Sequence, residues 1–253
     1  MLIAIDIGNS NVVIGLHDGQ TWRHVWRLPT LSEETLLFYE MRMANLLLEA
    51  AIPIKDVDRL VLSSVVPPLT PIFTELSEVL FKKTPVVAGP DLYRRLPLRI
   101  DRPHEIGADL VANALAAFTA FERDCIVVDF GTALSFTIVS AKGHILGVTI
   151  APGLKTAVHS LFQKTAQLPE VPLQMPASAI GTDTTSAIQS GVLIGYVGLV
   201  KHLLQTMRAE IGANYVAIAT GGLSSILHPL REEFLEVDTH LTLNGLRLMA
   251  DYQ

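Results

Sequence analysis

A chain of 253 residues with 19 Lys and Arg against 25 Asp and Glu has a formal net charge of −6, which argues against a general nucleic-acid or anionic-membrane surface. Apolar residues make up 49%, enough for a sizeable core in one large or two small domains, and a single cysteine, Cys125, rules out an internal disulfide. The longest apolar stretch, Gly191 to Val200, falls short of the ~20 residues a membrane-spanning helix needs. Leu2 to Ile5 is too short for a signal peptide. A cytoplasmic protein that meets neither nucleic acid nor membrane is expected.

In chain order, Leu2 to Ile5 is an apolar run ending in Asp6, followed by Gly8-Asn9-Ser10-Asn11 and a second apolar run to Leu16. This pattern predicts strand, short polar turn, strand. The turn presents a carboxylate, a glycine and short hydrogen-bonding side chains. A phosphate tail with a divalent cation needs such a surface, and so does an ordinary exposed hairpin. Trp22 to Leu28 continues as a third strand, and the capping-box spacing of Thr30 to Glu33 opens a helix to about Ala50. Leu60 to Val66 is a strand stopped by Pro67-Pro68, then a helix runs to about Lys82, and Val86 to Ala88 is a short strand. Pro85 to Pro103 is irregular and basic, with Arg94, Arg95, Arg99 and Arg102; surface ion pairs are the expected use of these charges. Gly107-Ala108-Asp109 opens a helix to about Phe121, where an acid in the first turn is favoured by the helix dipole whatever its function.

The opening pattern then returns. Cys125 to Gly143 reads apolar strand, Asp129, Gly131-Thr132, second strand and a closing Lys-Gly turn, so that Asp6 aligns with Asp129 and Gly8 with Gly131. A repeated unit of this size predicts two domains of similar build, at 1–121 and 122–253. Ile145 to Ile150 is a further strand, followed by a helix from Gly153 to about Thr165. Gly181 to Thr184 precedes a long apolar helix from about Thr185 to Glu210, whose Gly191, Gly195 and Gly198 suggest close packing, with a second copy of the chain as an attractive partner. Tyr215 to Thr220 is a strand running into Gly221-Gly222, a turn that can bring backbone close to a nucleotide, and Leu241 to about Tyr252 is a closing helix. Nothing matches the GxxxxGK[ST] phosphate loop.

Two strand-turn-strand loops of this kind resemble the actin-like (ribonuclease H-like) ATPases, a superfamily that includes sugar kinases, actin and the heat-shock chaperones. DIGNSN, PHEIGAD, DFGTA, IAPGLK, LFQKTAQLP, AIQSG and ATGG moreover occur here in the order seen in the type III pantothenate kinases, so the chain resembles that family over essentially its whole length. The resemblance implies an α/β protein of two duplicated actin-like domains with mixed sheets. It implies a homodimer that phosphorylates pantothenate with ATP, Mg²⁺ and a monovalent cation, K⁺ or NH₄⁺. It makes Asp6 the Mg²⁺ residue, with Gly8, Asn9, Ser10 and Asn11 as the first phosphate loop. It gives Asp129, Gly131 and Thr132 the facing loop and the monovalent cation, and Gly221 and Gly222 the nucleotide. Asp109 becomes the base for the pantothenate hydroxyl. Ile100, Gly107, Ala108, Leu110, Thr165 and Thr184 fall at substrate positions, Thr184 reaching the partner subunit's site. Phosphoryl transfer is largely positioning and charge neutralisation, and an alcohol acceptor needs a carboxylate to take its proton, so three acids in or beside glycine turns suit it.

The departures cluster on the substrate side. Leu110 stands where the family has arginine, Ile100 where tyrosine is common, and GPDLYRRLPL replaces the usual GxxTGL with about two more residues. Leu134 and Thr137 replace a commoner threonine and aspartate. A non-catalytic nucleotide-binding paralogue, or a kinase of another small hydroxy acid, is the alternative these changes raise.

Overall fold

The computed structural model describes residues 1–164, 168–212, 214–222 and 228–252. They form two compact units, one made of Met1–Ala116 with Leu241–Gln253, the other of Ala117–His240. Each is built around a five-stranded mixed sheet.

In the first unit, β1 (Leu2–Ile7), β2 (Asn11–His17) and β3 (Trp22–Pro29) form an antiparallel meander, and β4 (Arg59–Ser64) and β5 (Val86–Val87) add parallel to β1, giving the order β3-β2-β1-β4-β5. Alternation sorts the faces. Ile3, Ile5, Ile7, Leu60 and Leu62 pack with Tyr39, Met43 and Leu47 of α1 (Leu36–Glu49) and Phe73 and Leu76 of α2 (Leu69–Phe81). The alternate residues carry α8 (Leu241–Met249): Trp22 Nε1 donates to Asn244 Oδ1 at 2.7 Å, and Arg59 pairs with Asp251 at 2.6 Å. α8 is tied in turn to α4 (Ala108–Phe121), with Thr242 Oγ1 donating to Asn113 Oδ1 at 2.8 Å.

The second unit repeats the plan. β6 (Cys125–Phe130), β7 (Ala133–Val139) and β8 (Ile145–Pro152) form the meander, and β9 (Val216–Thr220) and β10 (Phe234–Val237) the parallel pair, in the order β10-β9-β6-β7-β8. One face of this sheet, with Ile126, Val128, Phe130, Leu134 and Phe136, is covered by Leu193, Tyr196, Val200 and Leu204. Those four belong to a helix continuous from Thr184 to Ile211, made of α6 (Thr184–Gln189), a π-helical turn (Ser190–Ile194) and α7 (Gly195–Ile211). Between the two hairpins, α3 (Pro90–Tyr93) is a single turn; α5 (Leu154–Lys164) follows β8. Cys125 is buried, and burial pushes its thiol up to about 11, so it is inert packing.

Three sequence expectations are corrected. The break expected at 121/122 falls at 116/117, and the closing helix belongs to the first unit, not the second. The cause is packing: a Cβ on Gly245 would fall inside contact distance of the Ala112 carbonyl, so α8 lies backbone to backbone on α4. The first long helix starts at Leu36 and not near Thr30, because Thr35 is the cap, its side chain accepting from Phe38 N–H at 3.3 Å. Thr184–Ile211, at 28 residues, is by length and composition long and apolar enough to cross a membrane, since serine, threonine and alanine flanks extend the run counted from sequence; a core helix passes the same test, and its inner face fills the core described above. Within the chain, Gly191, Gly195 and Gly198 face open space: a Cβ on any of them meets no atom of the described residues within 4 Å.

Gly245→Ala is expected to destabilise the protein. Alanine gains up to ~1 kcal/mol of helix propensity, but a backbone carbonyl cannot step aside and overpacking costs roughly 1–3 kcal/mol. Thermal unfolding of the variant would show a melting point several degrees lower.

Candidate active site

In the first unit Asp6 is the penultimate residue of β1, and the turn after it is closed by Gly8 N–H donating to Asn11 O at 3.0 Å. Asn9, Ser10 and Asn11 are exposed. Thr30 holds this turn from β3's end: its Oγ1 donates to Gly8 O at 2.6 Å and its N–H to Ser10 O at 3.1 Å. Two of the turn's carbonyls, those of Gly8 and Ser10, are thus held by Thr30, and the residues Asn9, Ser10 and Asn11 face solvent. Thr30 was missed from sequence because it was read as a helix cap.

Asp109 lies in the first turn of α4, partly buried, its Oδ1 accepting from Leu110 N–H at 2.9 Å. The carboxylate folds back over Gly107, where a Cβ would sit 2.5 Å from Oδ1; any side chain there would displace the acid. Desolvation raises the pKa of Asp109 above the ordinary carboxylate value, against the lowering effect of the amide hydrogen bonds. A buried carboxylate of raised pKa is a candidate for acid–base chemistry. Tyr93 is buried beside it; burial first and the Asp109 charge second push its phenol up to about 12. Tyr93 was not singled out from sequence, and the irregular loop around it gave no signal. Ala108 and Leu110 are buried and Ile100 half-buried. Three of the loop's arginines sit in solvent-exposed ion pairs, Arg94 with Asp91, Arg99 with Asp101 and Arg102 with Glu105, as the charge pattern suggested.

In the second unit Asp129 occupies the same penultimate position on β6, and Gly131 N–H donates to Ala133 O at 3.2 Å. This turn is one residue shorter than the first. The Thr132 carbonyl accepts from Gly153 N–H at 3.1 Å and Thr156 Oγ1 at 2.7 Å, which ties the turn to the start of α5. Gly221, with φ of +91°, brings its backbone against the base of the turn: a Cβ would lie 2.6 Å from Asp129 Oδ1. Gly222 is exposed. Thr184 begins α6 behind a capping box in which Asp183 accepts from Ser186 N–H at 2.9 Å, and it lines a cavity of about 610 Å³ with Leu161, Leu168, Ile188 and Val192. Thr165 lies outside the described residues.

No cluster of three or more His, Cys, Asp or Glu side chains forms among the described residues. A Mg²⁺ ion arriving with a nucleotide does not need one, since it keeps several waters and takes one or two carboxylates plus phosphate oxygens. Asp6, a carboxylate beside an exposed turn, fits that donor set.

Two sheets of identical strand order, each with an acid at the end of its first strand and a glycine turn after it, define an actin-like ATPase fold of two units. Solved structures agree. A Baf-family protein from Campylobacter jejuni, described as a transcriptional activator, superimposes with a TM-score of 0.61 at 19% identity, covering 98% of this chain and 97% of its own. MreB 5 of Spiroplasma citri bound to AMPPNP gives 0.55 at 10% identity, covering 99% and 96%. The particular family comes from sequence: the model of the type III pantothenate kinases matches residues 2–206. The type III pantothenate kinase of Syntrophus aciditrophicus (strain SB) is 41% identical over 249 residues, 98% of each chain. This chain belongs to the type III pantothenate kinase family.

Proposed function

We propose that the chain transfers the γ-phosphoryl group of ATP to the primary hydroxyl of pantothenate, the first step of coenzyme A biosynthesis. The observation that carries the reading is Asp109, a carboxylate of raised pKa seated at a helix start over a glycine that leaves it room. Within hydrogen-bond reach of an alcohol, such a carboxylate orients it and takes its proton as the new P–O bond forms. The Gly8–Asn11 turn binds the terminal phosphates through its amides and side chains, and Asp6 takes the water shell of Mg²⁺. When bound, Mg²⁺ neutralises charge developing on the transferred group. Asp129, with Gly131 and Thr132, holds phosphate oxygens and the monovalent cation, K⁺ or NH₄⁺, and Gly221 and Gly222 lie along the nucleotide. Gly107, Ala108, Ile100, Leu110 and Thr165 shape the acceptor site.

The enzyme acts as a cytoplasmic homodimer independent of nucleic acid and membrane. The exposed Gly191, Gly195 and Gly198 on the long helix support a second copy there, and Thr184 on the same helix then serves the partner's acceptor site. The buried Leu110 favours a second reading. Without the family's arginine the acceptor loses a charge-assisted hydrogen bond of about 1.5–3 kcal/mol, which permits another small hydroxy acid, or no acceptor at all.

A coupled ADP assay decides. Turnover dependent on pantothenate and Mg²⁺, and increased by K⁺ or NH₄⁺, is expected. Folded protein that releases no ADP with pantothenate but does so with another hydroxy acid moves the assignment to that acid. ATP binding without turnover on any acceptor leaves the non-catalytic reading.

A further inference from the structure

β4 ends in two serines with different surroundings. Ser64 is satisfied locally, its Oγ donating to Val66 O at 3.1 Å and accepting from Val66 N–H at 3.2 Å. Ser63 is fully buried, and its hydroxyl has no hydrogen-bond partner among the described residues. An enclosed, unpaired hydroxyl costs stability that alanine or valine at the same place would not. Its neighbours on that face, Ala4 and Val61, are apolar.

The strand register says what the hydroxyl is beside. β1 and β4 run parallel, and Asp6 pairs directly with Ser63. Paired residues on adjacent strands point to the same face, with strands ~4.8 Å apart, so the side chains of Ser63 and Asp6 leave the sheet on one face at the same level. The second unit, built independently along the chain, repeats the juxtaposition: β9 runs parallel to β6, and Asp129 pairs with Thr220, which is 1% exposed. Its face is otherwise apolar, with Val127 and Ile218 preceding. In both sheets the strand beside the acid turns from apolar residues to a hydroxyl at the acid's own level.

We infer that Ser63 is a positioning residue for Asp6: when Mg²⁺ and nucleotide draw the carboxylate into place, the hydroxyl rotates about χ1 and donates a hydrogen bond to it, fixing the oxygen that faces the cation's waters. The inference rests on the role given to Asp6 under the proposed function. A donated hydrogen bond both orients a carboxylate and favours its ionised form. Serine at this position is thereby explained by the liganded state, where its hydroxyl is paired.

The test is calorimetric titration of the full chain with AMPPNP, in Mg²⁺ and in EDTA, for the parent protein, Ser63→Ala and Ser63→Thr. Ser63→Ala is expected to melt at the same or a higher temperature, to bind AMPPNP about tenfold more weakly in Mg²⁺, and to bind it unchanged in EDTA. Ser63→Thr keeps the hydroxyl and the parent's Mg²⁺ dependence. Equal binding by Ser63→Ala and the parent, an equal loss with and without Mg²⁺, or a Ser63→Thr as impaired as Ser63→Ala overturns the inference. The outcomes separate from those of the function itself. A parent that fails on pantothenate while Ser63→Ala shows the Mg²⁺-specific loss removes the substrate and keeps Ser63; normal turnover with an unaltered Ser63→Ala does the reverse.

Discussion

Asp109→Asn is expected to abolish nearly all turnover while making the protein more stable at neutral pH. The amide is isosteric and still accepts the Leu110 N–H bond, but it cannot take the acceptor's proton, and loss of a general base typically costs 10²- to 10⁴-fold in rate. The stability change has a definite sign. Burial raises the folded-state pKa of Asp109 above its unfolded value, so between those two values the folded state binds more protons and stability falls as pH rises. Above the folded pKa the destabilisation is fully present, and the asparagine variant is free of it. Below about pH 4, where the unfolded carboxyl is itself protonated, the difference disappears. Melting curves of the two proteins at pH 7 and pH 3.5 check this: the variant melts higher at pH 7, and the gap closes at pH 3.5. The same shift places the acidic limb of the parent's kcat/KM profile above the ordinary carboxylate range, because the base works only when ionised. A variant less stable at pH 7, or one retaining most of the activity, would remove Asp109 from the role given to it.

How much of this was legible in the sequence depends on the kind of signal. Continuous apolar runs ending in Asp6 and Asp129 gave both hairpins and their equivalence, because a strand buried on both faces reads as an unbroken apolar stretch. The third strand of each meander and the helix at Asp109 were equally plain. What stayed hidden was decided by tertiary context. Thr30 and Thr35 are both good caps by type; the turn at Gly8 recruits the first, so the helix begins at the second. The return of α8 to the first unit follows from Gly245 meeting the Ala112 carbonyl, a contact 133 residues apart with no local trace. β10 was not foreseen: Phe234–Val237 is a short edge strand whose Leu235 and Glu236 are exposed, with no alternation long enough to read. Of the site, the acids announced themselves by their glycine turns. Tyr93 and Ser63 did not, because one lies in an irregular loop and the other reads as the end of an apolar strand.

The second large effect is expected from the pair Gly221→Ala and Gly222→Ala, neighbours in sequence that the fold treats oppositely. Gly221 has φ of +91°, a conformation that costs a residue with a side chain about 1–3 kcal/mol. Its Cβ would also lie 2.6 Å from Asp129 Oδ1 and 2.7 Å from the backbone of Phe130, where overpacking adds roughly 1–3 kcal/mol. Phe130 is buried in the core and cannot retreat, so the strain is relieved by moving the Asp129 carboxylate and the Gly131-Thr132 turn after it. At Gly222 a Cβ meets no atom of the described residues within 4 Å and the backbone is not in the left-handed region, so alanine there changes stability by no more than ~0.5 kcal/mol. At ~2–4 °C per kcal/mol for a protein of this size, Gly221→Ala lowers the melting temperature by about 4–24 °C, and it weakens AMPPNP binding at least tenfold at temperatures where the variant is folded. Gly222→Ala melts with the parent and separates backbone approach from side-chain room: if its nucleotide affinity is also kept, the turn acts through the placement of Asp129 and not through direct contact at residue 222. Parent-like nucleotide affinity in a folded Gly221→Ala would mean that the Asp129 turn does not hold the nucleotide.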